Sequence, residues 1–257
     1  MKEFGNMRKL IALSVVVLAL LALVPAVGAT ATANIYAAHG IPGADIRALG
    51  LNVSDSLPVD IRVVGPGVDV CALRNFTFGS FAGPVPVPAN TYEFRIGLAD
   101  AANPCNPARV VVSSSFRLGG GENALIAAHL TVAGAPAIQK VTLFPERAAG
   151  SNNPRLDIVH LANAPIVDIT ATVVGQSAPA LTLTNVSNRS FRFAGSRFSG
   201  VVPAASFDVR IFPAGSSTAV FGPARLNLMP GQNYIALAVG SLRNSSFTVL
   251  AFSIPLH

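Results

Sequence analysis

The chain is 257 residues long, enough for one large domain or two of ordinary size with a packed core. Charged residues make up 12% of it, against roughly 25% in soluble domains, and apolar residues 51%, which excludes intrinsic disorder. The net charge is +6, but the Arg residues stand mostly singly. The densest run, Arg189, Arg192 and Arg197 around Phe191, Phe193 and Phe198, is too short for the basic stripe that neutralises successive phosphates, so nucleic acid is excluded as a partner.

The amino terminus carries Lys2, Arg8 and Lys9, then an apolar run from Leu10 to Val24, then Pro25 and small-residue Ala-x-Ala patterns at 29–31 and 31–33. This order predicts a secretory signal peptide helix over residues 1–31, whose removal leaves a charge of +4. The run falls short of the roughly 20 residues that span hydrocarbon, and a retained anchor is the alternative. No Cys stands near its end to take a lipid, and no later stretch of the mature chain reads as a transmembrane span. The predicted location is secreted, extracellular or cell-surface associated. Cys71 and Cys105 both fall in the exported part and predict one disulfide tying two loops of the first half. With no His at ligand spacing they do not read as a metal site.

Beyond the leader the chain repeats itself once. Asn34-Ile35-Tyr36-Ala37-Ala38-His39 followed by Leu57-Pro58-Val59-Asp60-Ile61 is echoed by Leu156-Asp157-Ile158-Val159-His160 followed by Ala164-Pro165-Ile166-Val167-Asp168-Ile169. Tyr92-Glu93-Phe94-Arg95-Ile96 matches Phe207-Asp208-Val209-Arg210-Ile211, and Gly121-Glu122-Asn123 matches Gly231-Gln232-Asn233. The expected division is a first β-sandwich repeat over 33–146, a linker over 147–154 and a second repeat over 155–257. Each repeat has short Val, Ile, Phe, Tyr and Thr runs every eight to twelve residues between Gly, Pro, Asn and Ser clusters, the spacing of an antiparallel sandwich. The predicted fold is therefore all-β, two tandem immunoglobulin-like or transthyretin-like antiparallel β-sandwich domains with little helix. An insertion, Gly40 to Ser56, distinguishes the first repeat and reads as a surface loop.

These repeated segments resemble the DUF4397 family of exported proteins. The likeness rests on His160, Ala164-Pro165-Ile166-Val167-Asp168-Ile169, Val202-Pro203-Ala204 and the Pro230-Gly231 turn. It covers the mature chain as two tandem copies. The first copy keeps His39 and Val59-Asp60-Ile61 but separates them by the insertion, and Asn90 and Ala205 stand where the family pattern has Gly after Pro-Ala. The resemblance implies an exported β-sandwich and no defined chemistry.

His39 with Asp60, and His160 with Asp168, form the one polar constellation that recurs in both repeats. Such pairs serve as a base with its orienting carboxylate or as part of a metal site, yet one His and one Asp supply only two ligands, so no metal site is expected. The alternative is that the imidazole and the carboxylate close turns. Catalytic signatures are missing from the sequence: there is no Gly-x-Ser-x-Gly elbow, Ser113 to Ser115 reads as strand or turn, and Gly119-Gly120-Gly121 lacks the Lys of a phosphate cradle and reads as a hairpin turn. Five Asn-x-Ser/Thr sequons begin at Asn52, Asn75, Asn185, Asn188 and Asn244 and mark glycosylation candidates or polar loop positions. The resulting expectation is an exported structural or binding module that is not an enzyme, needs no cofactor and is self-assembling or adhesive. Its partners would be a protein, a cell-envelope component or the chain itself. The competing expectation is an exported ligand- or metal-binding protein, or a hydrolase, using the His and Asp pairs at the sandwich ends.

Overall fold

Alternation of apolar and polar residues makes one face of a strand ready for burial, and an unbroken apolar run suits a strand covered on both faces; the computed structural model, which describes residues 31–188 and 197–257, has sixteen strands of these two kinds. The first half forms β1 (Thr32–His39), β2 (Val59–Gly65), β3 (Val68–Phe76), β4 (Phe81–Pro88), β5 (Thr91–Leu98), β6 (Val110–Arg117), β7 (Asn123–Leu130) and β8 (Pro136–Leu143). The second forms β9 (Arg155–His160), β10 (Val167–Val173), β11 (Leu181–Val186), β12 (Arg197–Val201), β13 (Ser206–Pro213), β14 (Phe221–Asn227), β15 (Gln232–Val239) and β16 (Thr248–Pro255). In β5, Tyr92, Phe94 and Ile96 are buried while Glu93 and Arg95 on the other face pair with each other.

Each half builds two four-stranded sheets in the same order. The outer sheets run β3-β2-β5-β6 and β11-β10-β13-β14, the inner ones β4-β1-β7-β8 and β12-β9-β15-β16. The expected all-antiparallel pairing holds except at one place in each half: β1 runs parallel to β7, from Asn34 opposite Asn123 to His39 opposite Ala128, and β9 runs parallel to β15 in the same way. These strands are far apart in sequence, so no tight turn dictates their relative direction.

Three apolar layers alternate with the sheets. One fills the first sandwich around Ile35, Phe94 and Ile126, and another the second around Leu156, Ile169 and Phe207. The third lies between the halves, where Tyr36, Leu125 and Val141 of the first inner sheet meet Val159, Leu237 and Ile254 of the second. Both faces of the inner sheets are therefore covered, and β7 is buried along its whole length. Each half sends an edge side chain across this layer. Phe81 of β4 stacks on Phe252 of β16 at 4.7 Å between centroids, and Arg197, at the position of Phe81 in the second half, lies 5.0 Å over the ring of Phe144, just past β8.

The segment expected to be a surface loop, Gly40 to Ser56, contains a short helix, α1 (Gly43–Arg47), and is a clamp rather than a free loop. Ile41, Ile46 and Leu57 join the first core. The buried Asp45 accepts hydrogen bonds from Asn244 Nδ2 at 2.7 Å and Ser246 Oγ at 2.6 Å, both in the second half. Within the segment, Gly43 abuts the Ser54 carbonyl so closely that no side chain fits there. The segment 147–154 is likewise tied down, by Arg147 N donating to His257 O, Gly231 N to Asn152 O and Val202 N to Pro154 O. The Gly119-Gly120-Gly121 turn, expected to be a hairpin, instead carries the chain from β6 in the outer sheet to β7 in the inner one, with Gly121 at φ 75°. The leader expected over residues 1–31 lies outside the described residues except for Ala31. Among the described residues no helix is long and apolar enough to cross a membrane.

Cys71 and Cys105 form the disulfide, with Cα atoms 5.7 Å apart and a sequence separation of 34. Cys71 stands in the edge strand β3, and Cys105 in the connection between β5 and β6, so the bridge joins a strand to a loop. Closing a chain segment of this length stabilises by roughly 3 to 4 kcal/mol in the chain-entropy description. Cys71→Ser with Cys105→Ser is expected to lower the free energy of unfolding by about that amount, read from urea denaturation. A change under about 1 kcal/mol would show that the β5–β6 connection is held without the bridge.

Candidate functional site

The recurring histidines end the first strand of each half, and the chain folds back on each in the same way. His39 Nε2 donates to Leu57 O at 2.9 Å and its Nδ1 accepts from Ile41 N at 3.3 Å; His160 Nε2 donates to Pro165 O at 3.1 Å and its Nδ1 accepts from Ala162 N at 3.2 Å. Accepting a backbone N–H at Nδ1 fixes the neutral Nε2–H tautomer. Both rings are almost fully buried. Burial pushes the His39 pKa down to about 4, opposed by its bond to Leu57, and lowers that of His160 for the same reason.

The recurring carboxylates do different work. The β2–β3 ladder has a bulge between Val59 and Ile61, and the β10–β11 ladder has one between Val167 and Ile169. At each bulge an Asn takes a left-handed conformation, Asn75 at φ 51° and Asn185 at φ 58°. A bulge frees a backbone N–H, which needs an acceptor. Asp60 Oδ1 accepts from Asn75 N and Asp168 Oδ1 from Asn185 N, both at 2.9 Å. The second oxygen pins the neighbouring connection: Asp60 Oδ2 accepts from Cys105 N at 2.9 Å, and Asp168 Oδ2 from Gly215 N at 3.1 Å. His and Asp thus share no hydrogen bond in either half among the described residues, and each is engaged by backbone.

Sequence reading passed over a second polar group. Asp157, wholly buried in β9, pairs with Arg197 Nη2 at 2.8 Å and accepts from Asn233 Nδ2 at 3.0 Å. A lone charge inside the apolar run Leu156-Asp157-Ile158-Val159 was the available signal, since such a strand buries both faces and a buried charge requires a partner. Arg197 therefore belongs to the core between the halves and not to a surface basic patch; residues 189–196, which carry Arg189, Phe191, Arg192 and Phe193, lie outside the described residues.

The sequons separate by what holds the amide nitrogen. Asn188 Nδ2 donates to Leu130 O at 2.9 Å and to Ala162 O, and Asn244 Nδ2 donates to Asp45, so both bind one half to the other. Asn52, Asn75 and Asn185 are exposed, and no side-chain hydrogen bond involves them among the described residues. Ser113 and Ser115 lie exposed on β6. A groove of about 470 Å³ opens between the halves beside Val132, Pro165, Ile166, Asn188 and Leu242, and among the described residues Arg243 is its one charged lining residue. Among the described residues no three His, Cys, Asp or Glu side chains gather as a metal site would require.

Four stacked sheets with matched turn-locking His and Asp residues define an all-β, β-sandwich protein. Residues 33–170 match the family model described as Domain of unknown function (DUF4397), and the chain belongs to that family. No curated protein matches the sequence. Among solved structures, the Bacillus anthracis TIE protein is similar at 9% identity and a TM-score of 0.22, over 82% of this chain and 33% of that one, so the chain spans about a third of its length. CBMbc, a family CBM26 module from Eubacterium rectale Amy13K solved with maltoheptaose, is similar at 10% identity and a TM-score of 0.23, over 85% of this chain and 95% of that one. A candidate cell adhesion protein from Bacteroides ovatus is similar at 9% identity and a TM-score of 0.26, over 90% of this chain and 99% of that one. Likenesses this remote carry no argument about function.

Proposed function

We propose that this protein is an exported, non-catalytic module of the cell surface or extracellular space, that residues 155–257 are a second copy of its family domain, and that it works by binding or by assembling with further copies. The observation that carries this reading is the identical engagement of His39 with His160 and of Asp60 with Asp168 by backbone groups. Both ring nitrogens of each imidazole are occupied by backbone groups, and both oxygens of each carboxylate already accept a backbone N–H, so the recurrence is accounted for by the turns they lock. The charged, apolar, small-residue order of the first 31 residues supports export.

Strand edges supply the means of association. Pro84, Pro86 and Pro88 leave the outer edge of β4 without backbone donors at those positions, a device that blocks strand addition. Strands β3, β6, β11 and β14 edge the outer sheets, and of these β3, β6 and β11 contain no proline. These edges are where an added strand would pair.

Size-exclusion chromatography with light scattering on the mature chain, with and without divalent metal, tests the proposal. The expected result is association that grows with concentration, ignores metal and survives His160→Ala and Asp168→Ala in whatever fraction of those variants folds. A monomer whose size or stability responds to metal would overturn it.

A further inference from the structure

We propose that Asn75 and Asn185 are a matched pair of N-glycosylation sites, one on the outer edge strand of each half. This inference rests on the export reading above. The two residues occupy the same structural position, next to last in β3 and β11, at the bulge closed by Asp60 and Asp168. A bulge of this kind asks only for a positive φ, which Gly meets at least cost, and twelve of the described glycines meet that demand elsewhere in the chain. At both bulges the residue is instead Asn, followed two positions later by a hydroxyl, Thr77 or Ser187. Positive φ accounts for Asn as second choice to Gly; it does not account for the hydroxyl. The Asn-x-Ser/Thr pattern accounts for both.

The remaining geometry sorts the five sequons. Asn75 and Asn185 are exposed, and an aspartate holds the backbone N–H of each, so the backbone that carries the accessible carboxamide is fixed. Asn188 and Asn244 are unsuitable once the chain has folded, because their amide nitrogens join the two halves. Asn52 is exposed on the Gly40–Ser56 insertion and has no counterpart in the second half.

The donor is a lipid-phosphate-linked oligosaccharide. Nδ2 attacks its anomeric carbon, a C–N bond forms as the C–O bond to the lipid phosphate breaks, the amide gives up one proton, and nothing is oxidised or reduced. A glycan at the end of β3 and of β11 would cover those two edges with hydrated bulk and close them to strand addition, leaving β6, the remaining outer-sheet edge without proline, for association.

Fractionation of the protein's own host, followed by intact-mass and glycopeptide mass spectrometry of the chain, decides the matter. The expected result is an exported chain carrying glycans on Asn75 and Asn185, with Asn188 and Asn244 bare. Asn75→Asp and Asn185→Asp, which tolerate the same positive φ, would each remove one glycan mass, and the double variant both. An exported chain bare at Asn75 and Asn185 overturns the pair of sites and leaves the export reading standing. A bare chain confined to the cytosolic fraction overturns both.

Discussion

Lowering the pH from 7 towards 4 is expected to remove about 3 kcal/mol of stability through His39 alone. Burial holds its folded-state pKa near 4, against about 6.5 in the unfolded chain. The unfolded chain therefore takes up the proton first, so the contribution is complete above pH 6.5 and disappears as the pH falls to about 4, at roughly 1.4 kcal/mol per unit. Burial also lowers the pKa of His129 and His160, which act in the same direction. Urea midpoints at pH 7 and pH 4.5 measure the effect, and His39→Gln should lower the midpoint at pH 7 while flattening the pH dependence. Equal midpoints at the two pH values would show that the imidazole is solvated.

Arg197→Ala is expected to cost about 3 to 5 kcal/mol, because it leaves the carboxylate of Asp157, a residue with no exposed surface, with Asn233 as its one side-chain partner among the described residues. The first half shows the alternative solution at the same positions. Tyr36 stands where the second half has Asp157, Phe81 where it has Arg197, and their rings lie 5.7 Å apart. Replacing both charges together, as Asp157→Tyr with Arg197→Phe, is therefore expected to recover much of the loss, since a well-packed apolar pair often equals a buried ion pair. A double-mutant cycle by urea denaturation reads the coupling. A single-variant cost below about 0.5 kcal/mol would mean that the pair is hydrated and contributes as a surface bridge does.

Of the candidate site, the sequence disclosed which residues recur but not what they touch. His39 and Asp60 read as a pair because each is polar and repeated; the fold turns one towards the Leu57 carbonyl and the other towards a bulge amide. Neither the bulge nor its freed N–H is visible in Arg74-Asn75-Phe76, since the extra residue exists only relative to the partner strand. Asp45 could not be read for a similar reason. Its partners Asn244 and Ser246 lie about two hundred residues away, and only the docking of the halves brings them within reach.

By itself the sequence determined the strands, their repeat and the disulfide pair. Alternation of side chains along a strand is a local property, and two cysteines allow a single pairing. Only the tertiary structure decided where the excess of apolar residues goes. Low charge with abundant small and apolar side chains suggests surfaces that bury against partners, and much of that burial occurs within the chain, where Leu125, Leu237 and Val239 close the layer between the inner sheets. The hydrophobic effect is non-directional: it sets how much surface must leave water and is indifferent to whether the covering face belongs to the same chain. The parallel runs of β1 beside β7 and β9 beside β15, and the clamp at Asp45, follow from that packing and are encoded in no single segment.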